Sequence, residues 1–285
     1  MNKKNFIYRK GALGDTLSFL PFLFALRKRY SSITFAGNYL YRQIFENIDF
    51  INFLDADSRD VLNILLNDDV ENGTVFDEIF LFTMQFELGK ALTKAKFFPP
   101  LPDNSWFYSH PFDCTGMSFN QEKIYLPVCY YEDIEKIVGS NRYAVFHPGS
   151  GGRPKRLPLN IFSQLEKFLK ELDFEVIYLI GEAELELLNS LKNKKVLVNQ
   201  PLNKVIFLMS RCFFYVGCDS GISHLAGVLN LCGVVIFGPS DPFIYKPWGE
   251  LTVLKSKADF SDVDYRQISK ILGDEFEKRR DLFSF

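Results

Sequence analysis

The chain has 285 residues, 47% of them hydrophobic, and a formal net charge of -2. That length suits two domains with ample core, and 33 basic against 35 acidic side chains argue against a nucleic-acid-binding protein, which carries a strong basic excess. Five cysteines, an odd number with no CxxC pair, argue against a zinc site or a disulfide framework and for a reducing compartment, and three histidines leave little room for a multi-histidine metal site. The most apolar run, 17–26, is half the length of a membrane span of about 20 residues and predicts a buried helix. Residues 1–10 are charged, and no small-residue cleavage site follows a hydrophobic run, so no signal peptide is expected.

A short apolar strand at 5–8 enters Arg9-Lys10-Gly11-Ala12-Leu13-Gly14-Asp15, and a helix over 15–29 follows. Gly11 and Gly14 allow a tight turn, but G-x-x-G-D is neither the Walker pattern nor the dinucleotide G-x-G-x-x-G. Asp15 stands at the helix start, where it reads equally well as an N-cap. Pro21 falls inside the predicted helix, lacks an N–H and predicts a bend. Strands at 33–36, 49–54 and 78–82 are separated by helices at 39–46 and 59–67, an alternation that implies a mostly parallel sheet. Between 83 and 125 a proline-rich piece, 98–102, and an aromatic piece, 106–112, predict loops and short strands. A short helix at 132–138 ends at Gly139-Ser140-Asn141, where the first domain is expected to stop.

A fresh α/β run begins at Tyr143. Its strand, 144–146, ends in His147-Pro148-Gly149-Ser150-Gly151-Gly152-Arg153-Pro154-Lys155-Arg156. Such a loop can wrap phosphates with N–H groups and set a cation on them, although a solvated turn is the commoner meaning of a glycine cluster. Pro158 opens a helix to about 172, a tolerated place for proline. The strand at 174–180 closes on Gly181-Glu182-Ala183-Glu184; an acidic residue just past a strand end can accept both hydroxyls of a ribose, or simply start a helix. A strand at 195–199 and a helix at 202–210 lead to the 215–242 block. There an aromatic strand ends at Gly217, a helical pattern runs through Ile222, Leu225, Ala226 and Leu229, and the strand 234–237 stops at Gly238-Pro239.

The loop 217–221 therefore sits at the carboxyl end of a strand and opens a helix, where open α/β sheets bind ligands and where a helix N-terminus suits a diphosphate. Asp219, Ser220, Gly221 and His224 gather at this junction. Asp219 or Ser220 could be a plain cap, and a lone histidine is more often structural. Asp55-Ala56-Asp57 and Asp262-Val263-Asp264 match the D-x-D of metal-dependent sugar transferases, but capping and solvation suffice for both. A charged helix at 265–280 ends the chain.

Three motifs in this order resemble glycosyltransferase family 9, the lipopolysaccharide heptosyltransferase group. They are Gly14-Asp15-Thr16-Leu17-Ser18-Phe19-Leu20-Pro21; His147-Pro148-Gly149-Ser150 with Lys155 and Pro158; and Asp219-Ser220-Gly221 with His224-Leu225-Ala226 and Phe237-Gly238-Pro239-Ser240-Asp241-Pro242. The resemblance implies an α/β chain of GT-B fold, two Rossmann-like domains with mostly parallel sheets facing a central cleft. Residues 1–140 would receive the acceptor and 141–265 the nucleotide sugar, while 266–285 would form a helix with the first domain as one place to pack. It implies an inverting transfer without a bound metal or cofactor, from ADP-heptose as substrate to a lipid-linked lipopolysaccharide or lipooligosaccharide core. Asp15 would be the general base, with Gly11 and Gly14 in the acceptor-side loop. Lys155 would contact the diphosphate beside Gly149 and Ser150, Glu184 would hold the ribose, and Asp219, Ser220, Gly221 and His224 would line the diphosphate and donor sugar.

A cytoplasmic protein is implied, with Arg27-Lys28-Arg29 as one means of contact with the inner membrane face, and with no nucleic-acid partner. Two other readings stay open: another donor or surface glycan within the family, or a GT-B protein that binds nucleotide without transferring sugar, against which the intact Asp15, Lys155 and Asp219 speak. The chain departs from the family at Leu157, where a Trp is usual, and in its shorter length.

Overall fold

The computed structural model describes residues 3–66, 76–85, 87, 92–139 and 142–280. The chain divides into two units, Met1–Pro127 and Val128–Phe285. The division precedes the glycine break expected to end the first domain; residues 140 and 141 of that break lie outside the described residues.

In chain order the first unit contains β1 (Lys4–Tyr8), α1 (Leu13–Ser18), α2 (Leu20–Leu26), β2 (Ser32–Gly37), a 3-10 turn at Tyr39–Ile44, β3 (Ile51–Asp55), α3 (Arg59–Leu66), β4 (Glu78–Phe82), β5 (Ala95–Phe98) and α4 (His110–Thr115). The strands form one sheet in the order β3-β2-β1-β4-β5, and every pairing is parallel. The chain winds outward from β1 on one side and then returns to the other, so the strand order reverses beside β1. The loop carrying Asp15 leaves β1 at this switch point, where open sheets leave a crevice.

The predicted helix over 15–29 is two helices. It breaks at Phe19, and Pro21 lies in the first turn of α2, where its missing N–H breaks no intrahelical bond. Gly14 is likewise helical, inside α1, and leaves the turn to Gly11. Of the helix expected over 39–46, Tyr39–Ile44 is 3-10, and the helix expected over 59–67 is described to Leu66. Within 83–125, Ala95–Phe98 is a short edge strand, as expected there, whereas the aromatic piece 106–112 differs from the loops and short strands expected: His110-Pro111 opens a helix. Phenylalanines fill this unit's core edge to face, as Phe19 on Phe82 and Phe22 on Phe112.

The second unit contains α5 (Glu132–Val138), β6 (Tyr143–His147), a 3-10 turn at Arg153–Lys155, α6 (Leu159–Glu171), β7 (Glu175–Ile180), a 3-10 segment at Glu182–Leu191, β8 (Lys195–Val198), α7 (Leu202–Ser210), β9 (Phe214–Cys218), α8 (Gly221–Val228), β10 (Gly233–Phe237), α9 (Pro242–Tyr245), β11 (Thr252–Lys255) and α10 (Tyr265–Arg279). Its parallel sheet runs β11-β10-β9-β6-β7-β8 and reverses beside β6. Strands β6, β9 and β10 are buried along their whole length, which is why they read as continuous apolar runs. At Gly233 the backbone lies so close to β9 that a Cβ would stand 2.0 Å from the Tyr215 carbonyl oxygen.

Helix α5 packs on α7, with Glu135 paired to Arg211 at 3.1 Å and Asp133 paired to Lys204, and so belongs to the second unit. Helix α10 packs on α6 and β10, and its Ile268, Leu272 and Phe276 join this unit's core. All five cysteines are free. Among the described residues no helix is long and apolar enough to cross a membrane.

Candidate functional site

Asp15 is the third residue of α1 rather than its cap; the cap position is Ala12. Its Oδ2 accepts the Ala12 N–H at 2.8 Å, and its Oδ1 accepts a hydrogen bond from Arg9 Nη2. Reaching back to the cap N–H satisfies an orphan donor of the helix start. The buried guanidinium exceeds what a cap requires. Arg9 is 5% exposed against 20% for Asp15, so the pair presents carboxylate rather than cation to solvent. Burial pushes Arg9's pKa below its ordinary value, opposed by the charge and hydrogen bond of Asp15. Gly11 closes over the pair: a Cβ there would meet Asp15 Cβ at 2.6 Å and Arg9 Nη1 at 3.0 Å. Asn38 Nδ2 reaches the Gly11 carbonyl at 3.4 Å. Tyr41 is near enough for the Asp15 charge to add to the burial that raises its phenol pKa.

In the second unit three loops leave the carboxyl ends of the adjacent strands β9, β6 and β7 and meet. Lys155 Nζ donates to Asp219 Oδ2 at 2.7 Å, and Ser150 Oγ donates to the Asp219 carbonyl at 2.8 Å. Asp219 is nearly buried at 8% exposed, whereas Lys155 keeps 41% of its side chain in solvent. Ser220, not Asp219, caps α8, accepting the Ser223 N–H at 3.2 Å. That leaves the Asp219 carboxylate for Lys155. Gly221 begins α8, and His224 is buried within its first turns. Beneath this turn Tyr215 Oη and Ser223 Oγ share a hydrogen bond of 2.8 Å.

Glu184 lies past β7, 4% exposed, and its Oε2 accepts the Gly181 N–H at 3.1 Å. Its carboxylate fills the space over Gly149, where a Cβ would stand 2.4 Å from Glu184 Cδ. Gly149, Ser150, Lys155, Glu184, Asp219, Ser220 and Gly221 thus come together around one set of strand ends, with His224 buried just behind. His147 is buried in the same cluster and places Nδ1 2.9 Å from the Leu179 carbonyl. Burial lowers its pKa, opposed by that bond and by the Glu184 charge.

The D-x-D pairs are local. Asp55 accepts the Asp57 N–H at 3.1 Å, Asp57 pairs with Lys10, Asp262 accepts the Lys257 N–H, and Asp264 caps α10. Among the described residues no group of three or more His, Cys, Asp or Glu is arranged to hold a metal ion.

Residues 113–270, more than half of the chain, match the family model of glycosyltransferase family 9 (heptosyltransferase). The chain belongs to glycosyltransferase family 9. It is accordingly a glycosyltransferase. No curated protein sequence matches it. Among solved structures, the glycosyl transferase family 9 protein of Veillonella parvula DSM 2008 is 17% identical with a TM-score of 0.80, covering 98% of each chain. The E. coli ADP-heptose LPS heptosyltransferase II is 17% identical with a TM-score of 0.76, over 97% of this chain and 99% of that one. E. coli heptosyltransferase WaaC with ADP is 16% identical with a TM-score of 0.71, over 95% and 99%. At such identities the likeness is one of fold, the GT-B fold of these transferases.

Two arginines escaped the sequence reading of this family member. Arg9 backs Asp15. Arg156, 12% exposed, donates to the Ala183 carbonyl and to Glu186, both at 2.7 Å, and lies 3.6 Å from Glu184. It also reaches the Ser150 carbonyl at 3.4 Å and so ties the β6 loop to the β7 loop. Leu157 is buried in the core and its N–H points at Cys218 Sγ, 3.2 Å away, so the departure from Trp falls on packing.

Proposed function

We propose that this family 9 enzyme transfers a heptose from ADP-heptose to a lipopolysaccharide or lipooligosaccharide core, with inversion and without a bound metal. The observation that carries the reading is the convergence of Lys155, Ser150 and the start of α8 on Asp219. It gathers a cation, a hydroxyl and first-turn N–H groups at strand ends, the chemistry a diphosphate needs. Glu184 would accept the ribose hydroxyls from its place beside Gly149. The presence of ADP in the E. coli WaaC structure supports an adenine nucleotide.

In the reaction the acceptor hydroxyl oxygen forms the new bond to the sugar's anomeric carbon while the bond to the diphosphate oxygen breaks. The hydroxyl proton passes to the Asp15 carboxylate, a general-base contribution of about 10²–10⁴ in rate. The electron pair leaves with ADP, whose growing charge Lys155 and the α8 start stabilise. The acceptor being lipid-linked, the enzyme would work in the cytoplasm at the inner membrane face.

The test is metal-free calorimetry with ADP, UDP, GDP and ADP-heptose, paired with transfer assays of wild type and Asp15→Ala. Selective ADP and ADP-heptose binding, retained in Asp15→Ala while transfer is abolished, is the expected result. Preference for UDP or GDP would move the enzyme to another donor, and loss of donor binding in Asp15→Ala would remove Asp15 as the base.

A further inference from the structure

Resting on the reading of Asp15 as the base, we propose that Arg9 is its positioning residue: the guanidinium holds the carboxylate in one rotamer with its free edge turned outward. A carboxylate at the third helical position that reaches back to the cap N–H needs only that N–H and solvent. Here a strand-end arginine is withdrawn from water to 5% exposure for the purpose. Taking a charge out of water is costly unless its partners are well placed. Arg9 spends its donors on two acceptors: Nη1 on the Lys10 carbonyl at 2.8 Å and Nη2 on Asp15. Its Nε is buried without a partner, so the burial is not explained by full satisfaction of the side chain.

The geometry is fixed on three sides. The Ala12 N–H takes Oδ2, Arg9 takes Oδ1, and Gly11 lies so close that any side chain there would strike both residues. Each carboxylate oxygen accepts one of these bonds and keeps a second lone pair. That leaves the 20%-exposed face of Asp15 open to a hydroxyl in a defined orientation. Neighbouring Lys10 does not share this task; its ammonium turns to Asp57 at 2.8 Å. Misplacing a catalytic group by about 1 Å can cost about 10²-fold in rate. The effect of Arg9 should therefore appear in turnover rather than in donor binding.

The variants are Arg9→Met, which keeps the apolar stem, and Arg9→Lys, which keeps the charge but cannot span both acceptors. Crystal structures of both give the first readout, independent of turnover. Asp15 should leave its single rotamer in Arg9→Met and keep it in Arg9→Lys; an unchanged Asp15 in Arg9→Met overturns the proposal. The second readout is steady-state transfer from ADP-heptose to heptose-deficient lipopolysaccharide core. Arg9→Met should lower kcat about 10- to 100-fold at unchanged KM for ADP-heptose, with partial recovery in Arg9→Lys. A wild-type kcat in Arg9→Met beside an inactive Asp15→Asn would refute positioning and leave the base in place. An active Asp15→Asn would instead remove the base reading, and the crystal structures would still decide what Arg9 holds.

Discussion

Replacing Gly149 by alanine perturbs the junction of strand-end loops in the second unit with one methyl group. The added Cβ would stand 2.4 Å from Cδ and 2.7 Å from Cγ of Glu184, where carbon contacts ordinarily lie at about 3.5–4.0 Å. Glu184 has little freedom to yield, being 4% exposed and bonded to the Gly181 N–H. An overlap of about 1 Å must therefore move either the carboxylate or the loop, and overpacking of this kind costs about 1–3 kcal/mol. A displaced Glu184 also forfeits a charged hydrogen bond of about 1.5–3 kcal/mol. If that carboxylate takes the ribose hydroxyls, ADP should bind about tenfold or more weakly, since 1.4 kcal/mol is a factor of about ten. Calorimetry with ADP and thermal melting would be run on Gly149→Ala, Glu184→Ala and the double variant. Removing Glu184 opens the space the methyl needs, so the stability cost of Gly149→Ala should vanish in the double variant, a coupling of about 1 kcal/mol or more. Unchanged melting and ADP affinity in Gly149→Ala, or strictly additive losses in the double variant, would refute the packing of Glu184 on Gly149 and the ribose assignment with it.

Lys155→Ala should weaken ADP about 10- to 100-fold, the worth of a hydrogen bond to a charged group, and should also lower the melting temperature because the nearly buried Asp219 loses its cation; equal ADP affinity by calorimetry would take Lys155 out of the phosphate site. His147 should make the second unit acid-sensitive. Its folded pKa is pushed below the ordinary 6.5 by burial, so the unfolded chain takes up a proton that the folded one resists. Its contribution is whole above 6.5 and is lost as pH falls from there toward the lower folded value. Urea unfolding from about pH 7.5 to about pH 5 should show stability falling with pH, with a shallower fall in His147→Asn; equal slopes would contradict this.

The parallel sheets were legible because their strands are short apolar runs divided by glycine and proline. The break at Phe19 was not, because residues 17–26 are apolar except for Ser18 and a nearly continuous run carries little periodicity to lose. The edge strands at Ala95–Phe98 and Thr252–Lys255 are only half covered, so they lack the continuous apolar signature of β6 or β9. That the loops after β6, β7 and β9 lie at strand ends could be read from glycine and cap chemistry, but partner choice could not. Three cations stand within Arg153-Pro154-Lys155-Arg156, and only the fold sends Lys155 to Asp219 and Arg156 to the turn at 183–186. Likewise nothing local distinguishes Arg9, which turns inward to Asp15, from Lys10, which turns outward to Asp57.

The bonds that assemble the junction of strand-end loops in the second unit join residues far apart in the chain, with Lys155 64 positions and Ser150 69 positions ahead of Asp219. During synthesis the chain emerges from its N-terminal end at about 5–20 residues per second. The cationic loop after β6 is therefore exposed for several seconds before its carboxylate leaves the ribosome. The strand that should lie beside β6 on that side, β9, comes only at the end of that interval, after β7 and β8 have been made. Contacts of such high sequence separation make folding slow, since loop closure precedes the reward. The second unit should consequently complete its sheet from the middle only after β9 arrives, and a nascent chain stalled before residue 214 would carry an unpaired β6 edge and a Lys155 without its carboxylate into the cell's chaperones.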